Sequence, residues 1–316
     1  MHDTGKDLPP RSLGERGVTQ PEVRPIDRAV WSFWSRPFAG HYHSNWASEQ
    51  FHLLSWVLSF QTTRCHFRET SLVTDNDGAK LLADRLQLPF DYVTTDLEGL
   101  SESDPRWWIR GKLHTYRMQD KPFIHFDSDV YLWKPLPTDC LTADVIAQNP
   151  EYATISDATC YKPSAFTKQL LARGGWLPPE WLAYVRGGGG TAICTGLFGG
   201  CDIDALRRYA DRAISIIERR DNRAIWQQEN VGIGHQILVE QYYLGAFCAD
   251  LTGELDHRLR VRYLFESMGE AFDPAASTRV GYTHLIANAK KNRTLAQLVA
   301  ERVQRDYPDY YERCLY

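Results

Sequence analysis

The sequence predicts an α/β fold in which a mostly parallel sheet is flanked by helices. Short apolar stretches alternate with helical patterns along the first half of the chain, which is the order typical of strand–helix–strand units. Two of these stretches end in acids, Asp75 and Asp127, as expected where parallel strands present their carboxyl ends to a ligand. The 316 residues would hold one large domain or two modest ones. No clean linker divides the chain, so we expect one domain.

The predicted strands are apolar stretches bounded by proline, glycine or acidic residues. The first ends before Pro37 and Gly40, the second ends at Asp75, and the fourth follows Pro122. In chain order the predicted strands cover 28–34, 71–75, 90–94, 123–127, 144–148, 191–200 and 280–284. The chain between 150 and 190 has a looser pattern, with two prolines and a run of glycines.

The predicted helices carry apolar residues at helical spacing, as Trp46, Phe51 and Leu54 do in the first of them. Asp77-Gly78 is expected to form a turn before the second helix. In chain order the predicted helices cover 45–61, 79–86, 107–119, 203–220, 232–250 and 294–306.

Composition narrows the class of protein. The net charge of -4 argues against a nucleic-acid-binding protein, because such proteins normally carry a basic surplus. The seven cysteines form no Cys-x-x-Cys pair, which favours free thiols and a cytoplasmic location. No segment has the run of about 18 apolar residues that a membrane span needs. Residues 1–28 are polar and contain four prolines, so we expect a disordered leader before a domain over 29–316.

The stretch 122–133 places two acids inside an apolar strand pattern. Because side chains alternate along a strand, Asp127 and Asp129 are expected on one face and Ser128 on the other. Two carboxylates on one face repel each other unless a cation lies between them, and a divalent metal ion commonly fills this role. Two solvated acids at a strand end are the alternative. We favour the metal site because other parts of the sequence contain polar residues that could complete it.

Three polar residues elsewhere in the sequence are basic or can bind a metal. His284 follows the last predicted strand, where its imidazole would complete the metal site. Lys290 comes shortly after it and would reach a phosphate on the same ion. Lys112 lies on a predicted helix upstream of Asp127. A structural histidine and surface lysines are the alternative interpretations.

Three further segments contain polar residues or glycines that could belong to a site. Thr195-Gly196 lies in a glycine-rich strand, where the backbone can approach a ligand or where a strand corner is tightly packed. Glu240 and Gln241 form a polar pair on an otherwise apolar helix. The four glycines at 187–190 indicate either a linker or a lid that closes over a substrate.

In this order the segments resemble the GT-A class of nucleotide-sugar glycosyltransferases, and most closely the retaining enzymes of glycosyltransferase family 8. Asp127-Ser128-Asp129 matches the Asp-x-Asp that ends a hydrophobic strand in that family. Cys194-Thr195-Gly196 is similar to its Asn-x-Gly segment, with Cys in place of Asn. The stretch 240–244 is similar to Asp-Gln-Asp-x-Leu, with Glu240 for the first Asp and Tyr242 for the second. His284 and Lys290 keep the spacing of His-x-x-Gly-x-x-Lys, with Ala287 replacing the glycine.

The resemblance implies a GT-A-like fold and a set of ligands. Asp127, Asp129 and His284 would hold Mn²⁺, or Mg²⁺, as suits carboxylates with one imidazole. That ion and Lys290 would stabilise the leaving diphosphate of a donor, most simply a UDP-sugar. The residues expected to contact the nucleotide sugar are Asp75, Lys112, Ser128, Thr195, Gly196 and Lys290.

Transfer with retention is implied as well, with Glu240 and Gln241 as the catalytic pair beside the anomeric carbon. Glu240 is a candidate nucleophile, and the amide oxygen of Gln241 is a candidate for stabilising the positive sugar ring. The acceptor and the oligomeric state stay open at this point.

Two other functions compete with this one. A haloacid dehalogenase-type phosphohydrolase also places Asp-x-Asp-x-Val after an apolar strand, and Asp127 would then be a nucleophile. That fold normally begins with the motif, whereas three predicted strands precede it here. A GT-A-like protein that binds a nucleotide sugar without turning it over is the second alternative.

Overall fold

The computed structural model describes residues 25–39, 46–152, 162–253 and 259–315. These residues form a single α/β domain around a seven-stranded, mostly parallel sheet, with helices on both faces, which confirms the predicted fold class. The strand order is β3-β2-β1-β4-β7-β6-β8. These strands and the two of a smaller sheet are β1 Arg28–Phe33, β2 Glu69–Thr74, β3 Tyr92–Thr94, β4 Phe123–Phe126, β5 Val130–Leu132, β6 Val145–Tyr152, β7 Thr191–Gly200, β8 Val261–Tyr263 and β9 Tyr282–His284.

The strand order of the sheet reverses beside β4. Strand β1 pairs in parallel with β2 on one side and with β4 on the other. The chain therefore runs outward from β1 to β3 and then returns to the opposite side of β1, so the strand order reverses between β1 and β4. In open α/β sheets, ligands bind at such a reversal, outside the carboxyl ends of the strands. Strand β7 is antiparallel to both of its neighbours, β4 and β6.

The helices flank the sheet and carry caps where the sequence supplies them. Ser48 caps the first helix and Asp202 caps the long amphipathic one, each by accepting a hydrogen bond from a backbone N–H. The helices are α1 Glu49–Thr63, α2 Asn76–Ala79, α3 Arg110–Met118, α4 Thr138–Leu141, α5 Pro163–Ala172, α6 Pro179–Arg186, α7 Ile203–Glu218, α8 Arg220–Trp226, α9 Ile233–Ile237, α10 Tyr243–Gly253, α11 Met268–Ala271, α12 Pro274–Val280, α13 Arg293–Asp306 and α14 Pro308–Arg313. A π-helical stretch, Lys80–Arg85, extends α2, and a second, Leu238–Tyr242, joins α9 to α10.

The core lies on both faces of the sheet. Along β1, Val30 packs into the cluster that contains α3 and α7, whereas Trp31 packs into the cluster that contains α1. Both side chains are fully buried. A central strand buried on both faces is typical of parallel sheets covered by helices, and it explains why residues 28–34 are nearly all apolar.

The structure corrects the assumption that the strand pattern continues through Asp127 and Asp129. Strand β4 ends at Phe126, and β5 starts at Val130 in a separate two-stranded sheet with β9. The three residues between them form a turn, closed by a hydrogen bond from the Val130 N–H to the Asp127 carbonyl at 3.1 Å. The argument that strand alternation places the two aspartates on one face is therefore wrong, although they do lie close together.

Other boundaries differ for local reasons. The Asp77-Gly78 turn is part of α2, because Asp75 caps that helix by accepting from the Gly78 N–H at 2.8 Å. Strand β6 runs four residues beyond the predicted 148, and α5 and α6 fill a region in which no helix was predicted. Of the predicted leader, residues 1–24 lie outside the described residues. Ile26 is already buried, and its N–H donates to the Leu141 carbonyl at 2.8 Å.

The glycines at 187–190 form a tight connection between α6 and β7. The Gly189 N–H donates to the Tyr184 carbonyl at 2.8 Å, and the Gly189 carbonyl accepts from the Tyr242 hydroxyl at 2.8 Å. Gly188 has a φ of +75°, which favours glycine. These contacts hold the segment in place, so it is not a free linker.

The fold also bears on the cysteines and on membrane insertion. Six of the seven cysteines fall within the described ranges, and all six are free thiols. The helices of the described chain include none with the length and apolar character that crossing a bilayer requires. The cytoplasmic location stays a prediction from the cysteine pattern.

Candidate metal and nucleotide-sugar site

The Asp127–Ser128–Asp129 turn is fixed by three hydrogen bonds, one to β7 and two from α1. The Asp127 N–H donates to the Gly196 carbonyl of β7 at 3.0 Å. Two serines of α1 donate to carbonyls of the turn, Ser55 to Ser128 at 2.8 Å and Ser59 to Asp127 at 3.1 Å. The buried serines on this otherwise apolar helix thus satisfy backbone groups of the turn. Ser128 is half-buried.

The small β5–β9 sheet brings His284 to the turn. Its register places His284 opposite Val130, and the Leu285 N–H donates to the Asp129 carbonyl at 3.0 Å. The His284 Nε2 atom lies 3.5 Å from Asp129 Oδ1. One ligand atom from each of Asp127, Asp129 and His284 lies within 4.8 Å of the other two. The structure therefore brings together the three residues predicted to bind a metal.

The other ring nitrogen of His284 is held by a residue that the sequence did not indicate. His284 Nδ1 lies 2.7 Å from the Oε1 atom of Gln148, on β6. Gly196 packs beneath this pair, since a Cβ at that position would lie 2.5 Å from Gln148 Oε1 and from His284 Nδ1. A glycine is therefore required at 196 for these two side chains to meet, which gives the predicted site glycine a structural reason.

Lys290 also contacts Asp129, from the turn that follows β9. It is the fourth residue of the 3₁₀ turn Ala287–Lys291, and its ammonium lies 2.5 Å from Asp129 Oδ2 and 5.4 Å from the centre of the Trp46 ring. Burial by itself would raise the pKa of Asp129, but Lys290 and His284 outweigh burial and hold that pKa far below its ordinary value. Asp129 is therefore ionised and available to a cation.

A second lysine lies deeper in the site. Lys112, on α3, is buried, and its ammonium lies 3.0 Å from Asp127 Oδ1 and 2.8 Å from Glu240 Oε1. It also lies 3.4 Å from the carbonyl and hydroxyl oxygens of Thr195. Burial disfavours the charged lysine, but Asp127 and Glu240 outweigh burial and raise the pKa of Lys112 well above its usual value. The surface-lysine interpretation is therefore excluded.

Asp127 has a raised pKa, in contrast to Asp129. Burial raises its pKa to about 6, which Lys112 opposes and the neighbouring Asp129 and Glu240 reinforce. A carboxyl with such a pKa binds a proton more readily than a free aspartate does. A divalent cation placed between Asp127 and Asp129 would favour the ionised form.

Glu240 and Gln241 lie on the π-helical stretch between α9 and α10. Glu240 is buried, and its backbone carbonyl accepts a hydrogen bond from Tyr209 at 2.7 Å. Gln241 is half-buried. π-helical turns often mark functional sites, because the extra residue turns a side chain away from the regular helical face. Glu240 thus belongs to the site through Lys112, and Gln241 is the more accessible member of the pair.

Asp75 has structural partners that account for both of its oxygens. Oδ1 accepts from the Gly78 N–H, and Oδ2 accepts from the N–H and hydroxyl of Ser35, at 2.8 and 2.9 Å. These bonds tie the loop after β1 to the start of α2. A contact between Asp75 and the nucleotide stays a prediction.

His125 is a further polar residue of the site that the sequence analysis missed. It is fully buried on β4, with Nε2 2.9 Å from the Ser32 hydroxyl and Nδ1 3.8 Å from Asp127 Oδ1. Burial, reinforced by Lys112, lowers the pKa of His125 well below its ordinary value, so the ring is neutral. The sequence did contain a signal for His125, because a histidine inside an apolar strand needs a hydrogen-bond partner.

The fold is an α/β sheet, and at the carboxyl end of one of its strands two carboxylates and an imidazole form a group that could hold a metal ion. Residues 28–316 match the model of a family described as a family of unknown function, DUF6734, and the chain belongs to that family. No curated protein matches the chain.

Solved structures of two glycosyltransferases share a weak overall likeness with the chain. The apo form of glycosyltransferase GlyE from Streptococcus pneumoniae TIGR4 is 13% identical with a TM-score of 0.41, and a second structure of GlyE is 11% identical with a TM-score of 0.42. Each comparison covers 92% of this chain and 63% of GlyE, so the chain spans less than two thirds of that protein. Apo mouse xyloside xylosyltransferase 1 is 9% identical with a TM-score of 0.41, over 84% of this chain and 98% of the mouse chain. Similarity at this level identifies neither a substrate nor a reaction.

Proposed function

We propose that the protein is a metal-dependent glycosyltransferase that moves a sugar from a nucleoside diphosphate sugar, most simply a UDP-sugar, to an acceptor. The observation that carries this proposal is the convergence of Asp127, Asp129 and His284 within 4.8 Å, with Lys290 beside them. Two carboxylates, one imidazole and a partly exposed ammonium form a site suited to a divalent cation with a diphosphate bound to it.

The chemistry of the donor set favours a particular class of metal. Carboxylate oxygens with a single imidazole nitrogen suit Mn²⁺ or Mg²⁺, whereas a zinc site of the structural kind would need thiolates or more histidines. When bound, the ion would act as a Lewis acid on the diphosphate leaving group.

The two lysines have different tasks in this proposal. Lys290 is partly exposed at the mouth of the site, and its ammonium can exchange the Asp129 carboxylate for a diphosphate oxygen. Lys112 is buried and stays with Asp127 and Glu240, so it holds both carboxylates in place without meeting the phosphates. Gly196 admits His284 to the site, and Thr195 supports Lys112 from β7.

A first prediction concerns Lys290. Lys290→Ala should weaken binding of UDP by at least about 10-fold, because a charge-assisted contact to phosphate is lost, which corresponds to about 1.4 kcal/mol or more. Binding of uridine should change little, since uridine carries no diphosphate. Isothermal titration with both ligands in Mn²⁺ measures the difference. Lys291→Ala, at the exposed neighbouring position, is the matched control. An equal loss for UDP and uridine would assign Lys290 to the base side or to folding.

A second prediction concerns stereochemistry. Glu240 is buried against Lys112, whereas Gln241 is more accessible, so we assign Gln241 to the face of the sugar ring and Glu240 to its support. Glu240 is paired with Lys112, so it is not free to act as the general base that an inverting transferase needs. An α-linked donor should therefore give an α-linked product. Proton NMR of the fresh product reads the anomeric coupling constant, and a β-linked product from an α-linked gluco- or galacto-donor would contradict retention.

The proposed donor is tested by a thermal-shift screen of nucleotide sugars with Mn²⁺ and with EDTA. We expect a UDP-sugar to raise the melting temperature in Mn²⁺ and to lose most of that effect in EDTA, because ligand binding to the folded state stabilises it by mass action. Stabilisation that is equal with and without the metal would remove the shared-metal part of the proposal. A donor that stabilises the protein but is never turned over would instead favour a GT-A-like binding protein.

A further inference from the structure

Gln148 is a buried glutamine whose side-chain oxygen is shared by two partners. It is 1% exposed, and its Oε1 atom lies 2.7 Å from His284 Nδ1 and 2.8 Å from the Tyr282 hydroxyl oxygen. Both partners are on β9, the strand that delivers His284 to the aspartates. The glutamine itself is on β6, in the main sheet, so its side chain joins the two sheets.

The backbone at Gln148 is adapted to this contact. The pairing of β6 with β7 shifts register between Ala147 and Asn149, so Gln148 occupies a bulge in the ladder. Bulges re-aim side chains and are common beside active sites. Across the bulge, Gly196 leaves the space that the Gln148 amide and the His284 ring share. Strands β6, β7 and β9 thus converge on one hydrogen bond.

The chemistry of that hydrogen bond determines the form of the His284 ring. An amide oxygen can only accept, so the neutral ring carries its proton on Nδ1 and donates it to Gln148. The Nε2 atom is then left with a lone pair, and it is the nitrogen that faces Asp129 Oδ1 at 3.5 Å. The other tautomer would carry a proton on Nε2 and could not bind a metal through that atom.

We infer that Gln148 is a positioning residue that selects the Nδ1–H tautomer of His284 and aims Nε2 at the cation site between the two aspartates. The Tyr282 hydroxyl holds the Gln148 oxygen from the other side, so the amide cannot rotate away without losing a buried hydrogen bond. Residues that orient a metal-binding histidine in this way typically contribute 10–100-fold to metal affinity. The consequence for metal binding rests on the proposed function, whereas the tautomer itself does not.

Two measurements test the tautomer of His284 and the effect of Gln148 on metal binding separately. Nitrogen-15 NMR of the metal-free protein reports which nitrogen of His284 carries the proton, with the signal assigned by its loss in His284→Asn. Gln148→Met keeps the length of the side chain and removes the amide oxygen, and Gln148→Glu keeps an acceptor at the same place. Gln227→Met, at an exposed glutamine, is the matched control. Electron paramagnetic resonance of free Mn²⁺ gives the metal affinity of each variant.

We expect the Nδ1–H tautomer in the wild-type protein, in Gln148→Glu and in Gln227→Met, and a substantial Nε2–H population in Gln148→Met. The Mn²⁺ affinity of Gln148→Met should fall by about 10–100-fold. A wild-type ring protonated on Nε2, or a Gln148→Met ring that keeps its Nδ1 proton, overturns the inference. If the tautomer shifts as expected but the wild-type protein binds no Mn²⁺, the positioning role stands and the metal-dependent function fails. Gln148→Leu replaces Gln148→Met if the methionine variant does not fold, and the wild-type spectrum is decisive in either case.

Discussion

Asp129→Asn should abolish the Mn²⁺-dependent binding of UDP while leaving the protein folded. Asp129 is the residue on which His284 Nε2 and the Lys290 ammonium converge, at 3.5 and 2.5 Å. The amide keeps the size of the side chain but removes the charge that attracts the cation, so we expect Mn²⁺ affinity to fall by at least about 100-fold, the upper end of the effect of losing a residue that only orients a metal ligand. Titration calorimetry with Mn²⁺, and then with UDP in Mn²⁺, measures both losses.

The matched control for this change is Asp77→Asn, because Asp77 is an exposed aspartate at the start of α2 that pairs with Lys80. That variant should bind Mn²⁺ and UDP as the wild type does. Circular dichroism of both variants checks the fold. Mn²⁺-dependent UDP binding that survives in Asp129→Asn would show that the cation, if there is one, lies elsewhere.

Lys112→Met should destabilise the protein by about 3–5 kcal/mol, because removing the lysine leaves the buried carboxylate of Glu240 without a compensating charge. Lys112 is the cation within hydrogen-bond distance of both Asp127 and Glu240, and the side chain of Glu240 is only 1% exposed. Methionine fills the volume of the lysine stem, so the loss reports charge and not packing. Urea denaturation of the wild type and the variant gives the difference in the free energy of unfolding.

The double variant Lys112→Met/Glu240→Gln separates the charge effect from other causes. Neutralising Glu240 as well should recover a large part of the loss, since replacing a buried ion pair by neutral groups is often nearly neutral for stability. Lys80→Met, at an exposed lysine whose ion pair is screened by solvent, should leave the free energy of unfolding nearly unchanged. A Lys112→Met variant as stable as Lys80→Met would show that the buried ion pairs contribute nothing.

The central strands of the sheet could be predicted from the sequence because they are buried on both faces and are therefore mostly apolar. Strand 191–200 was predicted with the bounds that β7 has, and β1 differs from its predicted range by one residue. Helices α5 and α6 were missed, because prolines at their first positions and glycines around them suggest loops. Proline is tolerated at the first turn of a helix, where its missing N–H costs nothing.

The structure brings together the three residues predicted to bind a metal, but the geometric reason given for two of them was wrong. Asp127 and Asp129 were expected on one face of a strand, whereas they lie on a turn between two sheets. Apolar sequence on both sides of the turn hid the break, because β4 and β5 are each buried. The pairing of β5 with β9, which delivers His284, is a contact between distant segments that no local pattern could indicate.

The residue at 287 departs from the motif that this segment resembles. It stands where the resembling motif has glycine, and its φ of +51° lies in the left-handed region that favours glycine. Alanine at 287 therefore holds a backbone conformation that glycine would adopt more easily. Gln148 could not have been predicted, since its partners, Tyr282 and His284, are on a strand far along the chain.

The central claim is tested most directly by incubating the protein with UDP-sugars in Mn²⁺ and measuring the released UDP by chromatography. Inorganic phosphate is measured in parallel. We predict that the wild-type protein releases UDP from at least one UDP-sugar, slowly to water and faster once an acceptor is found. EDTA and Asp129→Asn should each abolish the release. No release of UDP, together with release of inorganic phosphate from a phosphate monoester such as a sugar phosphate, would contradict the proposal and favour a phosphohydrolase with Asp127 as its nucleophile.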